Sequence, residues 1–128
     1  VKILLDTHVL LWWLTDDRRL RAKLRTPIAS PRNDVLVSAA TVWEIAIKIA
    51  IGKLTLVGVD VTRLDELIVG QGFRELPVTA AHAGAVATLP HHHTDPFDRL
   101  LIAQARAERA TIASVDRAFA AYDVPLLG

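Results

Sequence analysis

The sequence predicts an α/β fold built on a parallel sheet. Short apolar runs bounded by turn signals alternate with segments of helical period, the pattern of parallel strands joined by crossover helices. The first run, Ile3-Leu4-Leu5, shows no polar alternation, as a central strand covered on both faces requires. Four acids, Asp6, Glu44, Asp98 and Asp116, also fall just after predicted strands or one turn into predicted helices. In an open parallel sheet those positions converge at the carboxyl edge, near the switch point of the strand order, where ligands bind.

The elements follow in order. Residues 2–6 read as the first, central strand, and 8–14 as a short apolar helix. The charged stretch 16–25 reads as a second helix, closed by a loop that Pro27, Pro31 and Asn33 mark. Residues 34–38, with Val35-Leu36-Val37 at their centre, read as a second strand. Residues 41–51 read as a helix that Gly52 stops, and 60–70 as another, followed by a short strand near 73–76. Residues 79–88 read as a helix ending before Pro90, and 96–109 as a longer one opened by Pro96. Residues 111–115 read as a strand, 117–121 as a helical turn and 123–126 as an edge strand, giving a sheet of four to five strands.

At 128 residues the chain reads as one domain, 1–128, large enough to bury a core without staples. It has no cysteine, which excludes disulfides, zinc–thiolate sites and thiol nucleophiles and fits a reducing cytoplasm. The run Ile3 to Leu5 is too short for a signal segment and Val9 to Leu14 far too short for a membrane span, so no membrane association is expected. Apolar residues make up 52%, which predicts an oligomer or an obligate partner. The net charge of +1 says little by itself. With four acids neutralised by cations, ten remain against 15 bases, and the rest of the surface becomes attractive to phosphate.

Clustered carboxylates repel one another unless protons or cations neutralise them, and a hard divalent cation is their usual partner. Taken alone, each acid has a commonplace reading. Thr41-Val42-Trp43-Glu44 matches a capping box. The helix that follows is almost wholly apolar apart from Glu44 and Lys48, four residues apart on one face. In Thr94-Asp95-Pro96-Phe97-Asp98-Arg99, Asp95 suits the N-cap and Pro96 the N1 position, which leaves Asp98 at N3 as the ligand candidate. Asp6 and Asp116 suit ordinary turn or cap aspartates. The signal is that all four fall at one edge of one sheet. His8 and His93 stand near acids, but as lone histidines they read first as structural residues, and the run His91-His92-His93 as loop. Arg18, Arg19, Arg21, Lys23 and Arg25 read as a solvated helix face, and Trp12 and Trp13 as core or partner-groove residues. No phosphate-binding glycine loop, zinc-protease or nucleophile-elbow motif is present.

Leu4-Leu5-Asp6-Thr7-His8, Trp43-Glu44-Ile45, Gly52-Lys53-Leu54, His93-Thr94-Asp95-Pro96-Phe97-Asp98-Arg99 and Asp116 together resemble the PIN-domain VapC toxins, in order and over essentially the whole chain. The resemblance implies a PIN-like three-layer sandwich around the parallel sheet. It implies a Mg²⁺- or Mn²⁺-dependent endoribonuclease, the toxin of a toxin–antitoxin pair, with RNA as substrate and a VapB-like antitoxin as partner. A homodimer is expected from the apolar content. The family's acids carry over onto Asp6, Glu44, Asp98 and Asp116 as catalytic and metal-binding residues, and its hydroxyl near the last acid onto Ser114. Two other readings compete on the residues alone. A receiver-type phosphorelay module also gathers acids at the carboxyl edge of a parallel sheet, and a PIN-like protein can bind without cleaving.

Overall fold

The structure is a computed structural model that describes residues 1–128. Five strands form one all-parallel sheet in the order β3-β2-β1-β4-β5. They are β1 (Lys2–Leu5), β2 (Asp34–Ser38), β3 (Arg74–Leu76), β4 (Thr111–Ala113) and β5 (Leu126–Leu127). The helices are α1 (Thr7–Leu14), α2 (Ala22–Ala29), α3 (Ala39–Ala50), α4 (Leu64–Gly70), α5 (Ala80–Ala85) and α6 (Pro96–Glu108). Short 3₁₀ turns cover Val61–Arg63, Val86–Thr88 and Arg117–Ala121. No helix is long and apolar enough to cross a membrane.

The strand order separates two of the competing readings. A receiver-type sheet runs 2-1-3-4-5, whereas this one runs 3-2-1-4-5. The direction reverses between β1 and β4, so the crevice lies beyond the ends of those two strands. Asp6 directly follows β1, and Asp116 lies three residues past the end of β4.

Alternation along the strands builds the layers. Ile3 and Leu5 of β1 and Val35 and Val37 of β2 point into one core with Val9, Leu10, Leu24, Ile45, Leu64 and Ile68. Leu4, Leu36 and Ile112 point the other way, onto Leu101, Ile102, Ala105 and Phe119. The sheet is therefore sandwiched between α1 to α4 on one side and α6 with the 117–121 turn on the other, the expected three layers. Burying each such side chain contributes roughly 2 kcal/mol, which is why the apolar runs of β1 and β2 hold the middle of the sheet.

Several boundaries differ from the sequence reading for identifiable reasons. The second helix covers 22–29 rather than 16–25 and contains Pro27 instead of stopping before it. Residues 16–21 are turns in which Arg19 pairs with Asp17, and Arg25 reaches back from α2 to Asp16, so the charged stretch closes on itself. Helix α3 starts two residues before Thr41. Its N-cap is Ser38, the last residue of β2, whose Oγ accepts from the Ala40 N–H. Thr41 is buried within the helix, and its hydroxyl has no hydrogen-bond partner. Glu44 is thus not the N3 member of a capping box. The edge strand is 126–127 rather than 123–126.

Candidate active site

Helix starts carry the site. Asp6 is the N-cap of α1, and its Oδ1 accepts from the Val9 N–H at 2.9 Å. Asp116 caps the 117–121 turn, with Oδ1 accepting from the Ala118 N–H at 2.9 Å. Asp95 caps α6, accepting from the N–H groups of Phe97 and Asp98 at 2.8 and 3.2 Å, with Pro96 at the first turn. The capping and functional readings are compatible here. Asp6 closes its helix with Oδ1 while Oδ2 accepts from Ser114, and Asp116 caps with Oδ1 while Oδ2 lies 3.9 Å from His93 Nε2.

Asp98 is spared capping duty and receives no in-line hydrogen bond. Burial, then the neighbouring Asp95, pushes its carboxyl up to about 7, and Glu44 and Asp6 add to the rise while His93 opposes it. Asp6, 4% exposed, is also raised, chiefly by burial. Hydrogen bonds from Ser114 and Val9 oppose that rise, and Asp116 adds to it. The four predicted acids thus feel one another across the crevice. At closest range the structure brings together Asp98, Asp116 and His93, whose ligating atoms all lie within 4.8 Å of one another. Asp6 and Glu44 border this group without joining it.

Glu44 reaches the site from the second turn of α3. Its Oε1 accepts from the Thr7 hydroxyl at 2.6 Å, and its Oε2 accepts from Lys48 Nζ at 2.5 Å. Lys48 is held above its usual range, first by that bond; its ammonium also faces Asp95 and Asp98. The two polar residues of this apolar helix are therefore partners, with the lysine at the lip of the acid cluster.

Contacts between distant segments hold these pieces in place. Ser114 Oγ donates to Asp6 Oδ2 and accepts from the Asp116 N–H, tying the end of β4 to the acid after β1. Ser38 Oγ, besides capping α3, donates to Gln104 Oε1 on α6 at 2.6 Å, and Gln104 Nε2 donates to the Pro77 carbonyl. Arg99 is 7% exposed. Its guanidinium donates to the carbonyls of Pro90, Val86 and Leu89 at 2.9, 3.2 and 3.3 Å and to the Tyr122 hydroxyl at 3.2 Å. That fork pins the loop before α6 against the helix.

The sequence reading missed Thr7, Gln104, Tyr122 and this use of Arg99. Thr7 stands beside Asp6, the one signal that pointed to it. His8 is exposed and packs against Trp12 at 6.1 Å between ring centroids, so its influence on Asp6 is only through space. Of the basic run, Arg19 lies over the Trp12 ring at 5.1 Å and pairs with Asp17. Trp13 packs on Phe73 and donates to Gln71, a core role at the domain edge.

The donor set fits a hard divalent cation. It is rich in carboxylate oxygen, and it leaves Asp98 without a donor and mutually repelled by its neighbours, the state that a cation relieves.

A parallel sheet with carboxylates gathered at its switch point defines an acid-lined α/β domain. The chain belongs to the PIN domain family, whose model matches residues 3–125. PIN domains are typically nucleases, which places the chain in a hydrolase class. Among solved structures the chain is similar to the crystal structure of FitAcB from Neisseria gonorrhoeae, with 29% identity and a TM-score of 0.71 over 98% of this chain and 96% of that one. Its fold also matches VapBC2 from Rickettsia felis bound to a promoter DNA fragment, at 15% identity and TM-score 0.71 over 98% and 97% of the two chains. VapBC-1 from nontypeable Haemophilus influenzae matches at 18% identity and TM-score 0.67 over 98% and 96%. No curated protein matches the chain significantly.

Proposed function

We propose that residues 1–128 act as one PIN unit, a Mg²⁺- or Mn²⁺-dependent endoribonuclease that serves as the toxin of a toxin–antitoxin pair in the cytoplasm. The observation that carries the reading is the convergence of Asp6, Glu44, Asp98 and Asp116 at the switch point, with Asp98 raised to about 7 by burial and by the neighbouring acids. The antitoxin partner is supported by likeness to FitAcB and the VapBC structures, each a complex by its name.

In this reading Asp98, Asp116 and Asp6 hold the cation, and Glu44 completes the site from its fixed position between Thr7 and Lys48. The bound ion supplies neutralisation of the scissile phosphate and acidification of a water. The chain supplies positioning. Ser114 and the Val9 N–H fix the direction of Asp6, and Thr7 fixes that of Glu44. A cleft of about 590 Å³ adjoins the site, lined by Thr7, His8, Trp12, Arg19, Lys48 and Lys53 among others. Its basic side chains suit the phosphate backbone of RNA, and Trp12 offers a ring face. The exposed Trp43 on α3, edge-on to Phe97, supports a homodimer through this side.

Cleavage of labelled single-stranded RNA with Mg²⁺ or Mn²⁺, against EDTA and an Asp6→Asn control, tests the reading. Metal-dependent cleavage lost in the control supports it. Metal-independent cleavage, or none with any RNA offered, sinks it.

A further inference from the structure

The C-terminal end of α3 carries an arrangement that the fold alone does not require. Gly52, at φ +76°, ends the helix in the left-handed conformation. Its N–H donates to the Ile49 carbonyl at 3.1 Å, and the Lys53 N–H turns back to the Lys48 carbonyl at 2.8 Å. Many helices stop with this pair of bonds, and the two residues joined by the longer one usually share an apolar contact. Here those two residues are both lysines, and both line the cleft of about 590 Å³ beside the acids. Like charges placed together repel and are relieved by an anion between them.

The two lysines are held differently. Lys48 Nζ donates to Glu44 Oε2 at 2.5 Å, and Glu44 is itself 4% exposed and bonded to Thr7. An ammonium has three N–H donors, and this bond uses one of them. The Lys48 side chain is 39% exposed, so the other two donors are open to the cleft that it lines. Lys53 is exposed and pairs with no acid. Arg19, on the same cleft, is committed to Asp17 at 3.1 and 2.8 Å and to the face of Trp12. The lysine charge left for a ligand is therefore that of the Gly52 turn. Thr7 belongs both to the cleft and to the Glu44 contact, so the cleft opens directly from the acid cluster. A ligand that lies along the cleft and also meets cations held by the acids must carry negative charge at intervals along its length. A phosphodiester backbone does so.

We infer that Lys48 and Lys53 form a phosphate subsite of the proposed nuclease, in which Glu44 holds Lys48 against the RNA phosphate next to the one that is cut and the Gly52 turn sets Lys53 against a phosphate farther along the strand. This rests on the nuclease reading above. Glu44 then positions a substrate contact besides belonging to the acid cluster. Contacts to phosphate supply affinity and register but no choice of base.

The test follows binding without cleavage and so does not depend on a loaded metal. Fluorescein-labelled single-stranded oligoribonucleotides of two unrelated sequences are titrated with the full chain in EDTA, and fluorescence anisotropy gives Kd at several salt concentrations. Lys48→Met and Lys53→Met should each weaken binding several-fold, by the same factor for both sequences. Each should also lower the slope of log Kd against log salt by about 0.7, the share of one phosphate contact on a single strand. Lys48→Arg should keep affinity and slope, because a guanidinium can bond Glu44 and a phosphate together. Lys2→Met, at the start of β1 on a lysine paired with Glu108, should change neither. A loss in Lys48→Met that Lys53→Met does not share would be a structural effect of Lys48 and overturns the subsite. Unchanged binding in both cleft variants, an equal loss in Lys2→Met, or a loss confined to one sequence overturns it as well. If the starting protein neither binds nor cleaves RNA, the nuclease reading fails and the subsite with it. A starting protein that cleaves RNA, with variants that bind as it does, strikes the subsite alone.

Discussion

Asp98→Asn should stabilise the metal-free protein, and the gain should depend on pH. The Asp98 carboxyl is raised from an ordinary 3.8 to about 7 by burial and by neighbouring acids. Between those values the folded chain holds a proton that the unfolded chain has released. Stability therefore falls as pH rises from about 4 to 7 and levels off above the folded value. A shift of about three units corresponds to at most about 4 kcal/mol. Asp98 keeps some contact with solvent, at 18% side-chain exposure, and screening reduces that figure to roughly 2 kcal/mol. The amide is nearly the same shape and carries no charge, and Asp95 rather than Asp98 caps the helix, so the cap survives. At pH 8 in EDTA the variant should melt roughly 5–10 °C above the starting protein. At pH 5 the gap should shrink to less than half, and it should close only at about pH 4 and below, where the unfolded carboxyl holds its proton too. Adding Mg²⁺ at pH 8 should narrow the gap from the other direction, by stabilising only the protein that keeps its ligand. Differential scanning calorimetry at the two pH values decides the matter. A variant less stable at pH 8, or a gain equal at both, would refute the electrostatic account of the cluster.

Three further outcomes follow from the geometry. Ser114→Ala removes the donor to Asp6 Oδ2 and the acceptor for the Asp116 N–H. It should cost about 1.5–3 kcal/mol in urea denaturation at pH 7, and an unchanged midpoint would show that Asp6 needs no such support. Arg99→Met strands the carbonyls that the guanidinium satisfies; it should cost about 3 kcal/mol and release the 86–93 loop to hydrogen exchange, and protection as in the starting protein would contradict the pinning role. If an antitoxin places an arginine among the acids, Mg²⁺ titrated against the complex at constant ionic strength should weaken it, and less so with Asp6 or Asp98 neutralised; indifference to Mg²⁺ would mean that the partner blocks RNA access instead.

The sheet was legible where burial dominated. β1 and β2 are apolar on both faces, and only a central parallel strand tolerates that, so both runs read correctly from composition. The second helix was misread because charge suggested a solvated helix at 16–25, whereas Asp16 and Asp17 engage arginines in turns and helix formation waits until Ala22. The start of α3 was misread because β2 passes into it without a loop, so that Ser38 ends the strand and caps the helix at once. The approach of Asp6 and Asp116 was readable from topology, since each follows one of the two strands that flank the switch point. The His93 contact was not readable. It depends on the path of residues 86–95, which Arg99 and Tyr122 determine by hydrogen bonds to backbone groups that carry no sequence signature.

The hydrogen bond between Ser114 and Asp6 joins residues 108 positions apart, and the sheet that makes it places the first strand at its centre. During synthesis β1 finds β2 soon after it, but its other neighbour, β4, emerges only after β3 and α6. Long-range parallel pairing of this kind closes late in folding. The crevice between β1 and β4, and with it the meeting of Asp6 with Asp98 and Asp116, therefore exists only once β4 has emerged and paired. A nascent chain that stops short of α6 carries Asp6 and Glu44 but no assembled site, so the topology itself postpones the site until β4 has been made.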